Sequence, residues 1–260
     1  MLEPQSNSET GTMTIMTDRA LPQLGGDVAL FLDFDGTLVE IAPRPEAVVL
    51  EPEVREALAR LYASRSGAVA IVSGRPIADL DAILSPLRLP VAGVHGLELR
   101  LADGRILQED GGGDLVPLLR EMQALIAAEP ELWLEEKPGA LALHTRARPD
   151  LEAACRQRLE PLVRADPGLT LLHGHRILEV KGAKVSKGTA VARFMAEPPF
   201  AERWPLFVGD DVTDEDGILA AQRLGGLGLK IGSQESAAKL RLDDGASFRA
   251  WLIAQAWQHS

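Results

Sequence analysis

Apolar residues fall into two rhythms along this chain. Short runs at 28–32, 68–72, 90–94, 205–208 and 227–231 each end abruptly on glycine or a polar residue. Runs of four or five apolar residues without polar alternation read as strands buried on both faces, as in a parallel sheet covered by helices. Between them, longer-period patterns predict helices. One spans 53–64, with Val54, Leu58 and Leu61 on one face; another starts at Pro76 and runs to about 84. Further helices are expected at 187–196 behind Ser186 as N-cap, from Ser233 to about 240, and at 246–258. Residues 97–107, with Asp103-Gly104 in the middle, predict a β-hairpin.

The pattern changes at Gly111-Gly-Gly113, a run permissive enough to act as a hinge and lacking the Gly-Lys-[Ser/Thr] of a P-loop. A helix follows from Asp114, its expected N-cap, to 128, with Leu115, Leu118, Leu119, Met122 and Leu125 as a core stripe. Segments 132–137, 140–146, 150–165, 169–173 and 176–180 then complete the order α-β-β-α-β-β. A self-sufficient unit of this kind inside a parallel-sheet pattern predicts an insertion. The expected organisation is a tail over 1–24, a core of 25–107 and 181–260, and an inserted α/β unit over 108–180. Pro43 and Pro45 predict a loop after the first strand.

Charge narrows the function. With 27 Lys+Arg against 38 Asp+Glu in 260 residues, a formal charge of −11, and 4% aromatics, the chain is a poor partner for nucleic acid or an anionic membrane. No apolar run approaches the ~20 residues of a membrane span. Residues 1–20 are polar and carry no secretory signal pattern, and Met13 and Met16 leave a later translation start open. The one cysteine, Cys155, sits in a helical pattern and reads as a small apolar residue. A cytoplasmic location is expected, and a monomer, since no long apolar seam is left over.

The chemistry concentrates at strand ends, where parallel sheets bind ligands. The first run stops at Asp33-Phe-Asp-Gly-Thr37. Residues i and i+2 of an extended chain point the same way, so Asp33 and Asp35 can share one pocket, and Gly36 lets the backbone turn tightly. Two such carboxylates need a shared proton or a bound cation, and an all-oxygen site suits Mg²⁺. The pattern is also that of an ordinary polar turn. An EF-hand is excluded, because its sixth and twelfth positions would hold Leu38 and Arg44. The second run ends at Ser73-Gly-Arg-Pro76, a hydroxyl before a helix start that can seat phosphate. The third ends at His95-Gly96. After 205–208 comes Gly209-Asp-Asp-Val-Thr-Asp-Glu-Asp-Gly217, with four Asp and one Glu within seven residues. Asp214, Glu215 and Asp216 suit a helix start, but Asp210 has no such explanation.

Asp33/Asp35, Ser73, Lys187 and Asp210, in that order, resemble the four signatures of the haloacid dehalogenase superfamily. The finer wording, Gly93-Val-His-Gly96, Glu135-Glu-Lys137, His144-Thr-Arg146 and the stretch from Glu179 to Gly188, is similar to the trehalose-6-phosphate phosphatase family. The resemblance implies a Rossmann-like parallel-sheet α/β core with an inserted α/β cap, and Mg²⁺-dependent hydrolysis of trehalose 6-phosphate. It implies Asp33 as nucleophile, Asp35 as acid and base, and Ser73 and Lys187 as phosphoryl ligands. Mg²⁺ would be held by Asp33, Asp210 and the Asp35 carbonyl, with Asp211 and Asp214 orienting metal waters or Lys187. Glu135, Lys137 and Glu179 would contact the disaccharide, together with His95, His144 and Arg146. Alternatives within the superfamily are a phosphatase for sucrose 6-phosphate or mannosyl-3-phosphoglycerate and a phosphosugar mutase; a silent phosphosugar-binding regulator is the alternative outside catalysis.

Overall fold

The computed structural model describes residues 21–42, 47–174 and 176–258. Most of the expected tail, with Met13 and Met16, lies outside the described residues, as do Pro43 and Pro45.

Two sheets organise the chain. The larger has eight strands in the order β12-β11-β10-β1-β2-β3-β4-β5. Its centre is β1 (Val28–Leu32), flanked by β10 (Trp204–Gly209) and β2 (Val69–Val72), both parallel to it. Beyond β10 come β11 (Leu227–Ile231) and β12 (Leu240–Leu242); beyond β2 come β3 (Val91–Gly93) and the antiparallel pair β4 (Glu98–Arg100) and β5 (Ile106–Gln108).

The unbroken apolar runs have the cause expected of them. Val28, Leu30 and Leu32 pack into a core beneath α1 (Pro52–Ser64), α2 (Ile77–Leu84) and α7 (Gly245–Trp257). Ala29 and Phe31 pack oppositely, beneath α5 (Lys187–Met195) and α6 (Glu215–Arg223). There Phe31 stacks on Phe200, ring centroids 5.3 Å apart. With both faces buried, no polar alternation survives.

The second sheet is antiparallel, in the order β6-β7-β9-β8: β6 (Trp133–Lys137), β7 (Ala140–His144), β8 (Leu169–Gly174) and β9 (Ile177–Gly182). One face packs on α3 (Val116–Ala128) and α4 (Glu152–Ala165), through Leu118, Met122 and Leu159 against Leu141, Leu143 and Val180. The other face turns to the large sheet. Where the two units join, a Cβ on Gly182 would lie 2.2 Å from the Gly111 carbonyl group. Glycine there lets two backbones touch.

Three expectations change. The segment from Ser233 to 239 is not helical, because side chains of α6 take its backbone groups: Glu215 accepts from the Ala237 amide at 2.9 Å, and Gln222 bonds Ala237 O and Lys239 N at 3.0 Å. Leu240 then pairs with Leu229 as an edge strand. The tail does not extend to 24. Leu24 is fully buried, its amide donating to Gln255 at 2.8 Å and its carbonyl accepting from Arg65 at 2.5 Å. Asp114 stands one residue outside its N-cap place, bonding Val116 N at 3.0 Å while Leu115 fills the cap position.

Candidate active site

The tips of three adjacent strands meet. Asp33 follows β1, Ser73 follows β2 and Asp210 follows β10, so neighbours in space are far apart in sequence. Lys187 arrives from a fourth direction at the first turn of α5. Ser186 caps that helix, its hydroxyl accepting from Gly188 and Thr189 amides while Thr189 Oγ1 accepts from Ser186 N at 2.9 Å. The reciprocal bonds fix where the lysine leaves the backbone.

Lys187 Nζ donates to Asp33 Oδ1 and Asp214 Oδ1, each at 2.6 Å, and all three residues are buried. Asp33, Asp210 and Asp214 each place a carboxylate oxygen within 4.8 Å of the others. One ammonium therefore faces three acids. Burial, and then the Asp214 charge, push the Asp33 carboxyl well above the ordinary range, with Lys187 pulling against them. The same causes raise Asp210 to about 6. For Lys187 the adjoining carboxylates overcome burial and hold the proton more firmly than usual. Asp33 Oδ2 is buried without a hydrogen-bond partner. An orphaned anionic oxygen among three converging carboxylates fits a hard divalent cation. The backbone is built to the same closeness: Gly36 has φ +87°, and a Cβ there would lie 2.1 Å from Asp210 Oδ2.

Asp35 is placed differently. Its carboxylate is gripped by Arg75, whose Nε and Nη2 donate to its two oxygens at 2.7 Å. The side chain thus stands outside the three-acid cluster. Arg75 had been visible only as part of Ser73-Gly-Arg; its position two residues past the strand-end hydroxyl was the available signal. Thr37, whose Oγ1 donates to Asp210 at 3.5 Å, was likewise not singled out. Ser73 is buried and accepts from the Arg75 amide at 3.2 Å. Asp211 spends its carboxylate on the Val212 amide at 2.7 Å, so Asp214 is the member of the loop that meets Lys187. Lys230, buried on β11, donates to Asp211 O at 3.0 Å and braces this loop from below.

The small sheet brings its own polar row to the cleft. Lys137 Nζ donates to Gly74 O at 3.3 Å, touching the loop after Ser73, and to Glu179 at 2.9 Å. His95 Nε2 meets the other Glu179 oxygen at 3.2 Å. Burial would raise the Glu179 carboxyl, but His95 and Lys137 outweigh it and hold it down at about 2. Glu135 accepts from the ring Nε2 of His144 at 2.9 Å and lies 3.9 Å from Lys137. Arg146 reaches the Ala42 carbonyl at 3.2 Å. All six expected sugar-contacting residues thus stand in the region where the two units meet, His95 from the core, Arg146 from the turn after β7 and the others from the small sheet.

A buried aspartate at the tip of the central strand, with a lysine and an acidic loop beside it, sits beneath a second α/β unit. A solved haloacid dehalogenase-like hydrolase from B. subtilis has this fold, with a TM-score of 0.63 at 17% identity over 87% of this chain and 99% of its own. The profile of the family described as trehalose-phosphatase matches residues 31–245. The trehalose-6-phosphate phosphatase of Escherichia coli (strain K12) is 38% identical over 235 residues, 89% of this chain and 87% of its own. The C-terminal domain of the C. albicans trehalose-6-phosphate phosphatase superposes with a TM-score of 0.78, at 22% identity over 88% of this chain and 91% of its own. The chain belongs to the trehalose-phosphatase family and is a phosphoric monoester hydrolase.

Proposed function

We propose that this enzyme hydrolyses trehalose 6-phosphate to trehalose and inorganic phosphate, with Mg²⁺ as cofactor and an aspartyl-phosphate on Asp33 as intermediate. One observation carries the reading: the row of Glu135, Lys137 and Glu179 reaches the loop after Ser73, where Lys137 donates to Gly74 O at 3.3 Å, so a surface suited to hydroxyls adjoins the phosphoryl side. Buried polar groups matched to hydroxyls reject substrates that leave them unpaired.

Asp33 and Asp210, with the Asp35 carbonyl, would hold the cation. When bound, Mg²⁺ supplies positive charge that offsets repulsion between an anionic nucleophile and a dianionic ester. Asp33 attacks phosphorus in line; its new O–P bond forms as the bond from phosphorus to the sugar oxygen breaks. Lys187 and Ser73 bind the phosphoryl oxygens where charge develops. Asp35 protonates the departing oxygen, then takes a proton from the water that cleaves the aspartyl-phosphate. The Arg75 fork keeps Asp35 oriented, so the acid step requires the guanidinium to let go, and an ester phosphate beside it competes for that cation. Asp214 holds Lys187, and Asp211 shapes the loop. His95, His144 and Arg146 support the sugar site. The two units rock about the Gly111–Gly182 contact, closing over the substrate. The same reading places the enzyme in the cytoplasm as a monomer; its one cysteine is buried and free, and among the described residues no helix is long and apolar enough to cross a membrane.

Phosphate release from trehalose 6-phosphate, sucrose 6-phosphate, mannosyl-3-phosphoglycerate and glucose 6-phosphate, with and without Mg²⁺, tests the reading. The expected result is Mg²⁺-dependent release with trehalose 6-phosphate preferred. Preference for another ester, or full activity in chelator, refutes it.

A further inference from the structure

The cleft-facing side of β6 is an ordered series. Side chains two apart on a strand share a face, and Lys137 identifies that face by touching Gly74 O at 3.3 Å. Glu135 comes next and Trp133 last. At a strand rise of about 3.3 Å per residue, Trp133 lies roughly 13 Å along the strand from Lys137. A cation at the phosphate loop, a carboxylate beyond it and an indole at the far end follow the order of a 6-phosphate, its own sugar ring and a second ring.

Trp133 is a large apolar residue left 47% exposed. It is nevertheless held in place. Its ring stacks on His144, directly opposite in the β6–β7 register, with centroids 4.2 Å apart and planes 26° from parallel. His144 is in turn fixed by Glu135 at 2.9 Å. Two residues past His144, Arg146 bonds the Ala42 carbonyl at 3.2 Å, bringing this end of the small sheet against the loop that follows Asp35. Asp35 is the residue assigned to the leaving oxygen, so this end of the small sheet meets the segment that leads away from it. Sugar rings present C–H groups on their faces, and an immobilised aromatic surface takes them at little further entropic cost.

We infer that Trp133, propped by His144, is the platform for the second, unphosphorylated glucose ring, and so sets the preference for a disaccharide ester over a monosaccharide one. The inference rests on the substrate reading above. His144 thereby becomes a positioning residue, acting through Trp133 and Glu135.

Steady-state kinetics of wild type, Trp133→Ala and Trp133→Phe on trehalose 6-phosphate, glucose 6-phosphate and p-nitrophenyl phosphate test it. Trp133→Ala raises KM for trehalose 6-phosphate about tenfold with kcat within about twofold, and leaves kcat/KM for the two smaller esters within about twofold. Trp133→Phe recovers most of the loss. Melting temperatures match wild type within a few degrees, because the side chain is outside the core. An unchanged KM for the disaccharide ester, or equal losses on all three substrates, overturns the inference. Wild type that does not prefer trehalose 6-phosphate to glucose 6-phosphate refutes the substrate reading and this inference with it; a preference undiminished in Trp133→Ala refutes the inference alone.

Discussion

Two groups of charges border the same cleft and are balanced in opposite ways. On the core, Asp33, Asp210 and Asp214 share one ammonium, that of Lys187, and an oxygen of Asp33 is left without a partner. On the small sheet, Glu179 lies between Lys137 and His95, and Glu135 between Lys137 and His144. Titration follows the imbalance. Burial and neighbouring acids push Asp33 and Asp210 upward, whereas His95 and Lys137 overcome burial to hold Glu179 at about 2. A buried cluster with surplus negative charge is costly until a cation joins it. A cluster whose charges already answer each other can hold its shape and exchange partners with sugar hydroxyls. On the proposed reading the core side takes the metal and phosphorus, and the opposing side recognises the sugar.

The hardest blow to that contrast comes from the nucleophile. Asp33→Asn lowers phosphate release from every ester by about 10³-fold or more, because the amide oxygen that remains is uncharged and a poor nucleophile. Comparable activity in this variant would remove Asp33 from its role. Glu179→Gln, on the opposite side, has a selective effect: about 10²-fold lower kcat/KM on trehalose 6-phosphate, with p-nitrophenyl phosphate turnover changed only about threefold. Parallel losses on both esters would erase the division of labour.

The proposed cation requirement can be read without turnover. Asp210, raised to about 6, binds its proton more tightly in the folded than in the unfolded chain. Metal-free protein therefore loses this contribution as pH rises from about 4 towards 6, when the folded state must give the proton up. Mg²⁺ favours the ionised carboxylate, so its stabilisation grows across the same window. Thermal melts should show a small Mg²⁺-induced rise at pH 5 and a larger one at pH 7.5, equivalent to about 2–4 kcal/mol at saturating ion. Glu179, with its depressed value, acts in the opposite sense; its contribution is present above about 4.5 and fades as pH falls towards 2. A Mg²⁺ effect independent of pH would contradict the assignment of Asp210. The smallest expected effect concerns the joint between the two units. Gly182→Ala sets a methyl 2.2 Å from the Gly111 carbonyl and costs about 1–3 kcal/mol in urea denaturation. A neutral outcome would mean that the joint opens freely.

Much of this was legible along the chain because its causes are local. Burial of β1, β2 and β10 on both faces leaves unbroken apolar runs that end just before Asp33, Ser73 and Gly209-Asp210. Ser186 advertises its helix because a cap needs a hydroxyl at that place. The segment after Ser233 misled for the converse reason: its composition suits a helix, but Glu215 and Gln222, distant in sequence, take its backbone groups. The reach of order to Leu24 depended in the same way on Gln255 and Arg65.

By itself the sequence determined which polar residues stand at which strand ends, since strand, turn and cap are written in short-range periodicity and residue type. Only the tertiary structure decided their partners. That Arg75 grips Asp35, that Asp214 rather than Asp211 meets Lys187, and that Trp133 leans on His144 beside the cleft are through-space facts. Strand order, register and side-chain packing create them, and no spacing along a chain encodes a distance across a sheet.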